Sequence, residues 1–169
     1  MTAGASLDEL RDVYEGQLSA FVRTAGAICG SREAGRDAVH DAFVSAVRAR
    51  EQYRRTGTVE AWLWSAVVRT ALKRRARVRD VPTADPLGGR EPVDANGDPG
   101  ELADVRAAIA LLPERQRLVL FLRYYGDLDY ERIGQTLGIK RGTVSATLHA
   151  AHQALRAHLE EVEADVRRP

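Results

Sequence analysis

Apolar residues recur at intervals of three and four along almost the whole chain, which predicts helix after helix. Leu7, Leu10, Tyr14, Leu18, Phe21, Ala25 and Cys29 form the first stripe. Ser6, with Glu9 three residues on, supplies a capping box at its start. The Gly30-Ser31 pair breaks the pattern and can cap a second helix that turns Ala38, Ala42, Phe43, Ala46 and Val47 inward. A third pattern opens at Val59; Trp62, Leu63, Ala66, Val67 and Thr70 can face a core there, and Trp64 lies off that stripe. Leu102, Val105, Ala108, Ile109 and Leu112 predict a helix from Glu101. Pro113 then stands as the first residue of the next helix, which Leu118, Val119, Phe121, Leu122 and Tyr125 bury and Gly126 ends. No strand-like alternation and no repeat interrupts this series. The expected fold class is all-α.

The last two patterns lie back to back in residues 127–156, DLDYERIGQTLGIKRGTVSATLHAAHQALR. Tyr130, Ile133 and Leu137 make a short stripe. Gly138 sits where a helix needs a left-handed residue after its end. Val144, Leu148, Ala151 and Leu155 make a longer stripe after it. Short helix, glycine turn and longer helix is the helix-turn-helix pattern, whose second helix can enter a DNA major groove. Gly134 fits a close crossing of the two helices. The same spacing also suits an ordinary helical hairpin.

Composition changes the picture at one place. Residues 80–100 hold four of the six prolines (Pro82, Pro86, Pro92 and Pro99), a cluster of glycines and almost no large apolar side chain. Such a stretch packs no core and reads as a mobile, mildly acidic linker. It divides the chain into two small helical domains, residues 1–79 and 101–169, the second containing the helix-turn-helix. The pattern leaves open whether the two lie together or apart.

Charge is plentiful but balanced, for a net charge of +1 over 169 residues. A nucleic-acid surface must therefore be local. The strongest candidate is Arg69, Lys73, Arg74, Arg75, Arg77 and Arg79, a basic cluster downstream of two tryptophans. It suits phosphate contact with stacking on unpaired bases, or else a solvated helix end. Asp37 and Asp41, one helical turn apart with His40 beside them, make either a solvated acidic edge or a docking surface for a basic partner. The single cysteine excludes an internal disulfide and suits a reducing cytoplasm. Neither a membrane-spanning run nor a secretory segment is read, so a cytoplasmic protein is expected. No nucleophile–base pairing or phosphate loop points to an enzyme. His149 and His152 lack a third ligand, so no metal site and no cofactor is expected.

These parts, in this order, resemble the extracytoplasmic-function RNA polymerase sigma factors. LLPERQRLVLFLRYYGDLDYERIGQTLGIKRGTV, residues 111–144, is similar to that family's fourth region. EAGRDAVHDAFVSAV (33–47) and VEAWLWSAVVRTALKRR (59–75) resemble its second region. The resemblance implies an alternative sigma factor that binds core RNA polymerase and directs promoter-specific initiation, held in check by an anti-sigma factor. By position, Asp37, His40 and Asp41 would meet the polymerase clamp. Tyr53, Arg54, Arg69, Lys73, Arg74 and Arg77 would serve the −10 element. Lys140, Arg141, Thr143, Ser145, Thr147 and His149 would serve the −35 element as duplex DNA.

The chain departs from the family in two directions. Arg69 and Lys73 replace a customary Asn and Asp, which makes the −10 face more basic. Ser145, Thr147, Ala150 and His152 replace customary Lys or Arg, and Lys140 replaces a capping Ser at a cost of about 1 kcal/mol. Fewer phosphate contacts predict weak or unusual −35 binding. A sigma-like interaction protein, binding a regulatory partner and little DNA, is the alternative this depletion leaves open. A stand-alone operator-binding repressor would leave the first domain idle.

Overall fold

The structure, a computed structural model, describes residues 4–79 and 99–166, with side chains at 4–78 and 103–161. Seven α-helices follow one another: α1 Leu7–Cys29, α2 Arg32–Ala49, α3 Val59–Arg79, α4 Pro99–Leu111, α5 Glu114–Tyr124, α6 Tyr130–Leu137 and α7 Arg141–Val166. There is no strand among the described residues. The linker read at 80–100 lies outside them, except that α4 already begins at Pro99. Pro113 is the flanking residue before α5, with extended ψ, rather than its first helical residue.

The caps explain where the helices start. Ser6 Oγ accepts from Glu9 N at 3.1 Å, and Glu9 Oε2 accepts from Ser6 N at 2.8 Å. Ser31 Oγ accepts from Ala34 N, and Thr58 Oγ1 from Ala61 N. Each bond satisfies an amide that the first helical turn leaves without a partner.

Helices α1, α2 and α3 pack pairwise around Phe21, whose ring lies 5.5 Å from Phe43 and 4.4 Å from Trp64. Trp64 is fully buried, whereas Trp62 is half-buried and stacked on Tyr53 at 5.0 Å. The stripe reading had these two tryptophans reversed. The cause is tertiary: α3 is covered by α1 and α2 on one side and by α6 on another, so its apolar arc is wider than one stripe.

Helices α5, α6 and α7 form the second bundle around Val119, Leu122, Ile133 and Val144, all without exposure. Its core runs into the first without a gap. At the seam Gly126 lies against Trp64: a Cβ there would stand 3.1 Å from Trp64 Cη2 and 3.3 Å from Thr24 Oγ1. Ser65 Oγ donates to Thr136 O at 2.7 Å, Arg23 Nε donates to Tyr125 O at 3.3 Å, and Arg132 faces Glu60 at 3.4 Å. Three buried polar atoms at or beside this seam, Thr24 Oγ1, Trp64 Nε1 and Thr136 Oγ1, have no hydrogen-bond partner.

Candidate nucleic-acid interface

The basic cluster lies on the outer side of α3. Leu63, Trp64, Val67, Val68 and Ala71 turn inward, and the opposite side carries Arg69, Lys73 and Arg77, all exposed and four residues apart. That spacing lines three cations along one helix face. Arg69 Nε donates to Ser65 O within the helix. Lys73 and Arg77 have no ion-pair partner among the described residues.

Arg74 stands apart from that row. Its Nη2 and Nε meet Asp41 Oδ2 at 2.6 and 3.2 Å, and its Nη1 meets Asp37 Oδ2 at 3.3 Å. One guanidinium therefore clasps both aspartates of α2, and the hydrogen bond it donates to Asp41 raises its pKa further. Both carboxylates are engaged through Oδ2 alone, and the acids stay more than half exposed. His40 is exposed on the same helix. Beneath the clasp, Cys29 donates to Ala71 O at 3.6 Å, and burial pushes its thiol pKa up. That is the setting of a structural thiol.

Tyr53 is nearly buried: its ring stacks on Trp62 and its hydroxyl donates to Gly57 O. Burial raises its pKa. In this arrangement Tyr53 shapes the loop, and its neighbour Arg54 is the exposed side chain. Arg55, which the sequence reading passed over, pins the loop to the start of α1. It adopts a positive φ of 52°, bonds both carboxylate oxygens of Glu9 at 3.2 Å and donates to Gly4 O at 2.9 Å.

The helix-turn-helix forms as the spacing predicts. Asp129 caps α6 by accepting from Arg132 N at 2.8 Å. Gly138 takes φ 66° and ψ 36°, the left-handed region that glycine enters without a Cβ penalty. Gly134 is needed for close approach: a Cβ would sit 2.7 Å from Ile139 O, and Ile139 N donates back to Gly134 O at 2.9 Å. The close neighbour is thus the turn backbone, before the crossing of the helices proper. Lys140 occupies the capping position of α7, where its carbonyl accepts from Thr143 N and Val144 N.

Val144, Leu148 and Ala151 bury one side of α7. The other side presents Lys140, Arg141, Thr143, Ser145 and His149 to solvent. Thr147 is half-buried and returns its hydroxyl to Thr143 O at 2.7 Å. His152 Nε2 lies 2.9 Å from the Tyr124 hydroxyl, so it is tied to α5. From Thr143 to His152 this face carries no Lys or Arg; its positive charge stands at the leading end, at Lys140 and Arg141, and again at the exposed Arg156.

Comparison with known proteins matches a different family region to each of the two bundles. Residues 13–80 match the family description Sigma-70 region 2, and residues 108–157 match Sigma-70, region 4. The chain is 32% identical to the ECF RNA polymerase sigma factor SigE of Mycolicibacterium smegmatis over 81% of its own length, and spans 56% of that protein. It is 28% identical to the RNA polymerase sigma factor SigV of Bacillus subtilis, covering 82% of this chain and 84% of SigV. The fold is similar to that of the sigma factor RpoE of Bartonella quintana, solved in complex with the anti-sigma factor NepR. That match has a TM-score of 0.68 at 20% identity, over 91% of this chain and 98% of that one. No described helix is long and apolar enough to cross a membrane. Region 2 and region 4 of one family, in that order within one chain and with extracytoplasmic-function factors among its relatives, make this protein a member of the sigma-70 family, in its extracytoplasmic-function group, a family of transcription factors rather than enzymes.

Proposed function

We propose that this protein is an alternative sigma factor that binds core RNA polymerase in the cytoplasm and directs initiation at a particular set of promoters. The observation that carries the reading is the pairing of two exposed basic faces, one on each of the two bundles. Arg69, Lys73 and Arg77 line one face of α3, and Lys140 and Arg141 stand at the entry to α7. In this reading Asp37, His40 and Asp41 meet the polymerase, each acid keeping Oδ1 for the partner while Arg74 holds Oδ2. Arg54, Arg69, Lys73 and Arg77 contact the −10 element. Tyr53 and Arg74 act beneath that surface, the first on the loop and the second on the acids. Lys140, Arg141, Thr143, Ser145, Thr147 and His149 meet the −35 duplex. An anti-sigma factor, like the one bound to the Bartonella protein, restrains the free form.

The experiment is co-purification with core RNA polymerase, comparing wild type with the Asp37→Arg/Asp41→Arg double variant. Charge reversal on the docking acids should abolish binding while helical content, read by circular dichroism, stays unchanged. A folded wild type that fails to bind polymerase, with any inhibitor removed, would overturn the reading. The uncharged middle of α7 favours a weak −35 contact: log affinity for a −35 duplex against log salt should fall with a slope of about −2, from two cations at roughly −0.9 each. A slope beyond about −4 would place further phosphate contacts outside α7.

A further inference from the structure

The loop that carries Arg54 is fastened at both ends and once in its middle. Tyr53, stacked on Trp62, holds its first residue, and Thr58, which caps α3, holds its last. Between them residues 54–57 are all exposed, so the loop's own packing does not fix its direction. The middle fastening is Arg55. Its φ of 52° is one that few residues other than glycine adopt. Such a backbone persists where its surroundings over-determine it.

Those surroundings are the start of α1. Arg55 Nη1 donates to Glu9 Oε1 at 3.2 Å, and Nη2 donates to Glu9 Oε2 at 3.2 Å and to Gly4 O at 2.9 Å, 46 and 51 residues away in sequence. Each acceptor is itself held. Glu9 Oε2 also takes the Ser6 N–H of the α1 cap at 2.8 Å. Ala5 N donates to Arg50 O at 2.9 Å, and a Cβ at Gly4 would stand 2.7 Å from that oxygen and 2.9 Å from Glu51 Cα. The capping box of α1 thus fixes Glu9, Glu9 fixes Arg55, and Arg55 fixes the loop. Paired with Glu9, Arg55 is a poor phosphate ligand. Its neighbours differ: Arg54 and Thr56 are exposed and have no side-chain partner among the described residues. An arginine tells bases apart only where its planar fork meets a base edge squarely. The direction of the loop therefore bears on base preference more than on overall affinity.

We propose that Arg55 is the positioning residue of the −10 loop: held by Glu9 and the Gly4 carbonyl, it aims Arg54 and Thr56 at the bases without touching DNA. The start of α1 thereby takes part in promoter specificity. The proposal rests on the sigma-factor reading above and deepens it. A direct phosphate contact by Arg55 makes the opposite prediction for Glu9. Glu9→Gln would then free the cation and remove a negative charge beside the DNA, and binding would tighten. Under the positioning role the same change loosens the loop. The helix cap survives it, since glutamine at that position also closes a capping box.

The test uses holoenzyme assembled from the full chain and core RNA polymerase, with a pool of fork-junction DNA randomised across the −10 positions; bound molecules are sequenced. Wild type should prefer particular bases, and Arg54→Ala should erase the preference at one or more positions. Arg55→Ala and Glu9→Gln should each lower the preference at those same positions by about three- to fivefold, the share of aimed loops lost with an exposed ion pair. The double variant should do no worse than either single one. Polymerase affinity and helical content should stay as in wild type. Tighter DNA binding by Glu9→Gln, with a salt slope that falls by about 0.7 in Arg55→Ala, would overturn the proposal in favour of a phosphate contact. So would an unchanged base preference in both variants, or a loss confined to positions that Arg54→Ala leaves alone. Wild-type holoenzyme that selected no base at all would sink the sigma-factor reading, and this proposal with it.

Discussion

Replacing Arg74 with alanine separates two roles that its position in a basic cluster confuses. As a DNA contact it should contribute to promoter affinity and little to stability. As a clasp on Asp37 and Asp41 it should do the reverse. The magnitude follows from geometry and exposure. Arg74 is 33% exposed, and Asp37 and Asp41 are 59% and 52% exposed, so solvent screens both pairs. Exposed ion pairs contribute about 0.2–1 kcal/mol each. The Asp41 pair, with two nitrogens converging on one oxygen at 2.6 and 3.2 Å, belongs in the upper half of that range. The Asp37 pair, with one contact at 3.3 Å, belongs near the bottom. Arg74→Ala should therefore cost about 1 kcal/mol in urea unfolding, or about 2–4 °C in Tm for a chain of this size. Double-mutant cycles should give a coupling of about 0.5–1 kcal/mol with Asp41→Asn and about half that with Asp37→Asn. Both should shrink in 1 M salt, roughly, as screening shortens to about 3 Å. Binding to a −10 fork DNA should fall far less than for Lys73→Ala. Zero coupling with both acids, together with a loss of DNA affinity equal to that of Lys73→Ala, would refute the clasp.

Gly134→Ala should destabilise the protein by about 1–2 kcal/mol in urea titration, because overpacking against the Ile139 carbonyl exceeds the propensity gained by alanine; a more stable variant would show that the turn yields freely. Trp64→Ala should cost about 3–5 kcal/mol, and Trp62→Ala clearly less, since Trp64 is fully buried and Trp62 half-buried; equal losses would contradict the placement of the two rings. Glu9 has its folded pKa lowered, first by the Ser6 backbone N–H and then by Arg55. Its contribution is therefore present above its ordinary pKa of 4.5 and is lost as pH falls through the lowered folded value. Glu9→Gln should flatten the stability–pH curve below about pH 4.5, and an unchanged slope would remove Glu9 from the acid transition.

Local chemistry was legible in the linear chain because each piece of it is satisfied within a few residues. The Ser6–Glu9 box, the Ser31 cap and the left-handed Gly138 need nothing from afar. The stripes of α1, α2, α6 and α7 report one buried face each, but Leu7 at the start of α1 and Val47 near the end of α2, both read as part of a stripe, are exposed, as is Val105 of α4, because no neighbouring element covers them. The all-α class and the helix-turn-helix follow from the same signals. What the linear chain left undecided depends on contacts between distant segments. Trp64 counts as core because Phe21 of α1 and Gly126 in the turn after α5 meet it, a fact that α3's own periodicity does not carry. Arg74 reads as one more cation until α2 brings two carboxylates under it, 33 and 37 residues away in sequence. Tyr53 reads, by resemblance, as a −10 contact until Trp62 covers its ring. Sequence period determines which side of a helix is apolar; only packing decides how many neighbours share that side, and which charges are left over for a partner.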